Sequence, residues 1–422
     1  MKEEKELFSS FFYFISIEAG IWMNIIVASY YYKPHIGGVE NSLCHIAQAL
    51  IKKGNKVFIV ASDSDLSKKK RLCSHEIIDG IEVYRFKRFL PKVSLLALFG
   101  PFIDRIRASK TIAAIHLHHA IDVILTRNHI LGLAGYRVGV NQVYYHVSSI
   151  VKKLDKVNSN TVSERSLRSS LVSVYVNWCI NPINQFLQNR CIRKATGIIV
   201  FSDNLRKQVE QIAPYAKDKI RIIHPGVDIQ EVSPVITSVG KRKFVFLVLG
   251  RLIYAKRIDL AIDAMAALPD HISVELHIVG DGPVKDTLLR SVMLQKIKHR
   301  VLFFEATANV NLHYQKADCF LMTSEYETFG QTIIEAMSFG LPVIAFNSDG
   351  HAVQTSSAEI IENGINGFLC DFSVTDLAST MLHVTEMNQT EFKSMAFQNR
   401  MKTKAYYSWD NYVEQLMNFN NR

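Results

Sequence analysis

The chain contains no run of about eighteen uncharged apolar residues, the length a helix needs to cross a bilayer, so no spanning helix is expected. Its six cysteines (Cys44, Cys73, Cys179, Cys191, Cys319 and Cys370) are scattered over 422 residues, and none forms a CxxC pair. A structural zinc site or a disulfide framework is therefore not expected. Several of them stand in apolar segments and read as small buried hydrophobes in a reducing cytoplasm. Internal repeats and low-complexity tracts are absent, and so is GxGxxG, the dinucleotide fingerprint.

What the chain does have is length for two or more domains and an uneven charge. Residues 23–228 hold 30 basic and 14 acidic residues, net +16, while residues 229–422 hold 17 and 21, net −4. A strongly basic half beside a mildly acidic one points to an anionic surface or substrate met by the first half. The basic residues crowd between Arg85 and Lys110, where Arg85, Lys87, Arg88, Lys92, Arg105, Arg107 and Lys110 face a single Asp104. Phe86, Phe89, Leu90 and further aliphatics interleave them. This pattern fits an interfacial segment on anionic lipid, and equally a core helix with a solvated basic rim. Nucleic acid fits less well, because no recognisable binding module is present.

Residues 1–22 read as an N-terminal extension, since an acidic start and an apolar stretch of only eleven residues (Leu7 to Ile17) do not make a secretory signal. A first strand follows at Ile25–Ala28, then Gly37-Gly38 opening a helix: a nucleotide-fold beginning. Strand Lys56–Ser62 is followed by Asp63-Ser64-Asp65, read as a solvated turn leading to a helix. His116, His118 and His119 form a histidine-rich turn with no carboxylate at ligand spacing. A further strand ends at His146.

In the second half, strand Phe244–Leu249 runs into Gly250-Arg251 and, five residues on, Lys256; two cations in one such loop can neutralise a diphosphate. Residues 317–346 form a βαβ unit: buried strand Cys319–Met322, polar loop Thr323–Gly330, helix from Gln331, strand Val343–Phe346. The first amides of that helix are a ready anion seat, and Gly330 lets a phosphate approach. Glu327 stands just before the seat and Glu335 about two turns in. Carboxylates accept paired hydrogen bonds from sugar hydroxyls, so the ligand reads as part phosphate, part polyol. An acidic turn that merely complements the helix dipole is the plainer alternative.

Glu327-Thr328-Phe329-Gly330-Gln331-Thr332-Ile333-Ile334-Glu335 resembles the Glu-x7-Glu signature of retaining glycosyltransferases of family 4, which have the GT-B fold. The resemblance spans residues 23–420. It implies an α/β protein of two Rossmann-like doubly wound domains facing across a cleft, with residues 23–228 binding acceptor. It also implies a linker at 229–241, a nucleotide-sugar domain at 242–395, and a last helical segment, 396–422, crossing back to the first domain. It implies that Glu327 and His146 meet the donor sugar and that Glu335 holds the ribose. The amides of Phe329 and Gly330, with Arg251 and Lys256, meet the diphosphate, and Gly37 and Gly38 let their loop approach the donor. Catalysis would rest on Glu327, His146, Arg251 and Lys256. Arg85, Lys87, Arg88, Lys92 and His118 are candidates for acceptor or membrane contact.

The implied activity is hexosyl transfer from a nucleotide-diphosphate sugar to a glycan or lipid-linked glycan acceptor, in cell-surface polysaccharide or lipopolysaccharide synthesis. The enzyme would be peripheral on the inner face of an anionic membrane, with no cofactor, no catalytic metal and no nucleic-acid partner. A nucleotide-sugar 2-epimerase of the same fold and a non-catalytic nucleotide-sugar sensor are the alternatives. Two departures from the family pattern, Thr323 where Pro is common and Asp349-Gly350-His351 where two Gly are usual, bear on loop stiffness.

Overall fold

A computed structural model describes residues 22–35, 38–65, 71–90, 94–151, 180–229, 243–307 and 309–419. The N-terminal extension but for Trp22, Gly37, Lys92 and nearly all of the expected linker lie outside them. The chain divides into two compact units. Unit 1 comprises residues up to Val200 with Arg206–Ile223 and Val413 onward, and unit 2 comprises Phe201–Leu205 and His224–Tyr412.

Unit 1 is built on an eight-stranded sheet: β1 (Asn24–Ala28), β2 (Lys56–Ser62), β3 (His75–Ile78), β4 (Ile81–Phe86), β5 (Val123–Thr126), β6 (Gln142–His146), β7 (Gly197–Val200) and β8 (Ile220–Ile222). The order is β3-β4-β2-β1-β5-β6-β7-β8, parallel throughout except that edge strand β3 runs antiparallel to β4. Its helices are α1 (Gly38–Lys52), α2 (Gly100–His119), α3 (His129–Val138), α4 (Asn181–Lys194) and α5 (Asp203–Ile212). The central strands are near-continuous apolar runs because helices cover both faces of a parallel sheet. Ile26, Phe58, Val60, Ile124 and Val143 of the strands pack with Ala108, Ile112, Leu131 and Ala134 of α2 and α3 as one core. Phe419, near the chain's end, fills the space a side chain at Gly197 would need: a Cβ there would lie 2.3 Å from its ring.

Unit 2 has six parallel strands: β9 (Phe244–Leu249), β10 (Val274–Val279), β11 (Val301–Phe304), β12 (Cys319–Met322), β13 (Val343–Phe346) and β14 (Phe368–Cys370). Their order, β11-β10-β9-β12-β13-β14, is the Rossmann 3-2-1-4-5-6 arrangement. The helices are α6 (Ile258–Ala267), α7 (Lys285–Leu294), α8 (Asn311–Lys316), α9 (Gln331–Ser338), α10 (Ser357–Ile360), α11 (Val374–Glu386), α12 (Gln389–Tyr406) and α13 (Trp409–Met417).

Several local expectations are corrected. Asp63-Ser64-Asp65 is buried rather than solvated, and it leads to the β3–β4 hairpin rather than to a helix. Asp63 accepts from Arg71 Nη1 (2.5 Å) and from the Arg88 amide (2.9 Å), so a cation and an N–H replace water. The three histidines are not in a loop but on the last turn of α2. Arg85 is 4% exposed and is no acceptor or membrane contact. Its guanidinium bonds Glu76 of β3 (2.9 Å) and the carbonyls of Ser62 and Lys33 (3.3 and 2.5 Å), so it serves the sheet's interior.

Two glycines fix how the loops of unit 2 nest. Gly280 has φ +150°, and a Cβ there would lie 1.9 Å from the Gly250 carbonyl oxygen; a Cβ on Gly282 would lie 2.2 Å from that of Leu252. Backbone cannot yield as a flexible side chain would. Gly280→Ala is expected to destabilise unit 2 by about 2–4 kcal/mol, measured by denaturant unfolding against the wild type; an unchanged midpoint would refute the tight approach.

Candidate active site

In a sheet of this order the ligand crevice lies beyond the carboxyl ends of the strands where the chain reverses direction, here between β9 and β12. Two loops meet there. After β9, Gly250 takes φ +145° and the chain passes Arg251 to a 3-10 turn, Tyr254–Lys256, and then Arg257 at φ +44°. After β12, Thr323–Gly330 leads into α9. Thr323 Oγ1 donates to the Lys256 carbonyl (2.7 Å) and the Glu325 amide to that of Ala255 (3.0 Å), which ties the loops together. The second loop is also held from behind: Glu327 N donates to Gln354 O (3.1 Å) and Gln354 N to Glu325 O (2.7 Å).

Between the loops opens a cleft lined by Gly250, Arg251, Lys256, Thr323, Ser324 and Thr332. Thr332 is the second residue of α9, whose first amides have no intrahelical partner and carry the positive end of the helix dipole. Gly330 caps that end at φ +97°, a left-handed conformation that favours glycine, and a Cβ there would crowd Ile333 and Met322. Arg251 is exposed at the cleft and Lys256 half-buried. Two cations and a helix N-terminus thus surround one space, which suits a diphosphate.

The carboxylates differ. Glu327 Oε2 is ion-paired with Lys256 Nζ, both side chains about three-quarters buried. Glu335, one turn into α9 rather than two, accepts from Tyr314 Oη of α8 (2.8 Å). Tyr314 is itself buried and stacked on Phe339. Burial pushes the Glu335 carboxyl up to about 7; the tyrosine hydroxyl pulls it back and the Asp228 charge adds to the rise. Phe329 turns its ring away into a cluster with Phe201, His224 and Tyr407, leaving only its backbone for a ligand.

Arg251, Lys256, Glu327, Phe329, Gly330 and Glu335 therefore share unit 2 and its crevice. Gly38 and His146 belong to unit 1. His146, at the end of β6, has no exposed surface; burial, and then the Arg127 charge, hold its imidazole well below the ordinary value, so it is neutral. Lys87 and His118 are exposed, while Arg88 is half-buried, its guanidinium 5.2 and 5.3 Å from the rings of Tyr30 and Tyr31. Sequence reasoning missed Ser324, Thr332 and Tyr314; small hydroxyls beside the Glu-x7-Glu run were a signal for the first two, and nothing in the chain pointed to the third. The unusual Thr323 is explained by its bond to Lys256. Asp349 replaces a glycine by accepting from the amides of His351 and Val353 (2.7 and 2.9 Å). Among the described residues, no three His, Cys, Asp or Glu side chains gather as a metal site requires.

The model for Glycosyltransferase Family 4 matches residues 36–231, and that for Glycosyl transferases group 1 matches residues 230–406, so together they run unbroken from 36 to 406. The chain belongs to glycosyltransferase family 4. An uncharacterized glycosyltransferase of Methanocaldococcus jannaschii is 24% identical over 419 residues, 94% of this chain and 97% of its own length. HepE of Anabaena, solved with UDP and glucose, superposes with a TM-score of 0.67 at 21% identity, covering 93% of this chain and 98% of that one. A lipopolysaccharide outer core galactosyltransferase superposes at 0.65 with 17% identity, covering 94% and 99%. This family-4 glycosyltransferase therefore has the GT-B fold of two Rossmann-like units.

The Glu335 carboxyl gives a pH test. Its folded value is raised from 4.5 to about 7, so the stability it contributes is full below 4.5 and is lost as pH rises through about 7. Calorimetry at about pH 5 and about pH 8 is expected to show a smaller Tm difference in Glu335→Gln than in the wild type; equal differences would show that this carboxyl titrates normally.

Proposed function

We propose that this glycosyltransferase moves a hexosyl group from a nucleotide-diphosphate sugar to a glycan or lipid-linked glycan acceptor, with retention at the anomeric carbon. The pathway would be synthesis of cell-surface polysaccharide or lipopolysaccharide, and the place the inner face of an anionic membrane. The observation that carries the reading is the meeting of Arg251, Lys256 and the start of α9 around one cleft. Bond breaking at the sugar puts negative charge on the departing diphosphate. Donors already fixed there stabilise the transition state more than the ground state.

The ion pair gives the order of events. An arriving diphosphate competes for Lys256 and frees Glu327 to accept from sugar hydroxyls. Glu335 accepts from the ribose as a carboxylate, since only the ionised form has all its oxygens as acceptors. His146 of unit 1 has no exposed surface and is given no contact with the sugar. No side chain is assigned as a covalent nucleophile. The nucleotide and sugar held by the Anabaena structure and the acceptor class named for the galactosyltransferase support the reading.

Incubation with nucleotide sugars and glycan or lipid-linked acceptors, scoring free nucleoside diphosphate and the anomer formed, tests it. Arg251→Ala is expected to lower kcat by roughly 100-fold, the effect of losing one charge-stabilising donor. A near-normal rate removes Arg251 from the mechanism, an inverted anomer overturns retention, and an epimerised sugar without acceptor overturns transfer.

A further inference from the structure

Unit 1 presents a surface that donor chemistry leaves unused. α2 packs on α3, and α3 on α4. The connections containing them all step from β4 toward β8, so the right-handed crossover rule places them on one face of the sheet. Over 20, 10 and 14 residues these helices carry seven lysines and arginines and a single carboxylate. That carboxylate, Asp104, is 3% exposed and turned inward, accepting from Tyr30 Oη (2.9 Å) and the Phe89 amide (2.7 Å). The next helix on that face, α5, restores parity, with Asp203 and Glu210 against Arg206 and Lys207. The excess is thus local to three adjoining helices.

Within it Arg105 lies within electrostatic reach of both Arg137 and Arg190. Burial, and then the charges of Arg137 and Arg190, lower the Arg105 guanidinium from its ordinary value. Arg105 Nε is buried without a hydrogen-bond partner, and among the described residues no carboxylate pairs with any of the three. Guanidiniums with no carboxylate partner among the described residues leave a repulsion that an anion from outside relieves. Exposed apolar side chains stand on and beside the same helices. Phe102 and Ile106 flank Arg105 on α2 and are 36% and 39% exposed; Phe99 is 57%, Leu117 82% and, on α4, Phe186 60%. A polyanion such as nucleic acid would satisfy the cations and leave these side chains in water. A bilayer interface takes up both.

We propose that the α2–α3–α4 face docks this enzyme on an anionic phospholipid bilayer, with Arg105, Arg137 and Arg190 holding lipid phosphate and Phe102 and Ile106 entering the interface. The inference deepens the membrane partner of the proposed function. It moves the contact away from Arg85, which is interior, to a face that sequence order did not reveal.

The test is sedimentation of the full chain with vesicles of phosphatidylcholine alone or mixed with phosphatidylglycerol, without donor. Wild type is expected to bind the mixed vesicles and not the neutral ones. R105Q/R137Q/R190Q is expected to lower that partition by roughly 100-fold, while K298Q/K393Q/K404Q, which removes equal charge from unit 2, binds within about twofold of wild type. F102S/I106S is expected to weaken binding and make what remains more salt-sensitive. Equal losses in the two triple variants would reduce the effect to net charge and overturn the proposal. So would wild-type binding by R105Q/R137Q/R190Q, or a thermal shift with inorganic phosphate that these arginines control in a chain that ignores vesicles. UDP-induced thermal stabilisation and the melting profile of each variant establish that it is folded and keep a failed donor reading distinguishable from a failed docking face.

Discussion

The ion pair between Lys256 and Glu327 is the interaction on which the rest of unit 2 turns. An ammonium three-quarters buried is costly without a partner, and a carboxylate likewise. Each meets the other's need, yet the pair is not so deep that an incoming anion could not compete for the ammonium. The arrangement holds only because the two loops cannot drift. Thr323 fastens one to the backbone of the other, Gln354 fastens the second from behind, and Gly280 and Gly282 let the neighbouring turn press against Gly250 and Leu252 without a side chain between them.

Two carboxylates eight positions apart in one short stretch are thereby given different characters. Glu327 faces a cation. Glu335 faces a buried phenol and a second acid, and its ordinary ionisation range is displaced toward neutrality. The spacing that makes the sequence signature places one carboxylate before the helix and the other on the helix itself. Chemistry then follows from what each one meets in three dimensions.

Much of this was legible in the chain. The alternation of apolar runs with amphipathic stretches gives two α/β units, and Gly250-Arg251…Lys256 and Glu327–Glu335 mark the two loops that meet in unit 2. What could not be read depends on partners distant in sequence. Arg85 looked like a surface cation because its neighbours are basic; its carboxylate comes from β3, an antiparallel strand that no periodicity announces. Asp63 looked like a solvated turn because Arg71 and the Arg88 amide reach it only after the hairpin folds. Tyr314 stands on a six-residue helix with no motif, 21 positions before the glutamate it serves. The basic face of unit 1 is assembled from α2, α3 and α4, of which only the first lies near the basic run that drew notice.

Strand β3 is four residues long and reverses direction at the margin of an otherwise parallel sheet, with Ile77 outward and His75 and Glu76 engaged with Glu82 and Arg85. An open parallel margin is a template on which another chain can continue the ladder. A short strand of opposite sense offers few backbone groups in the right register. The same turn-back that buries Arg85 therefore also shortens the margin on which another copy could extend the ladder.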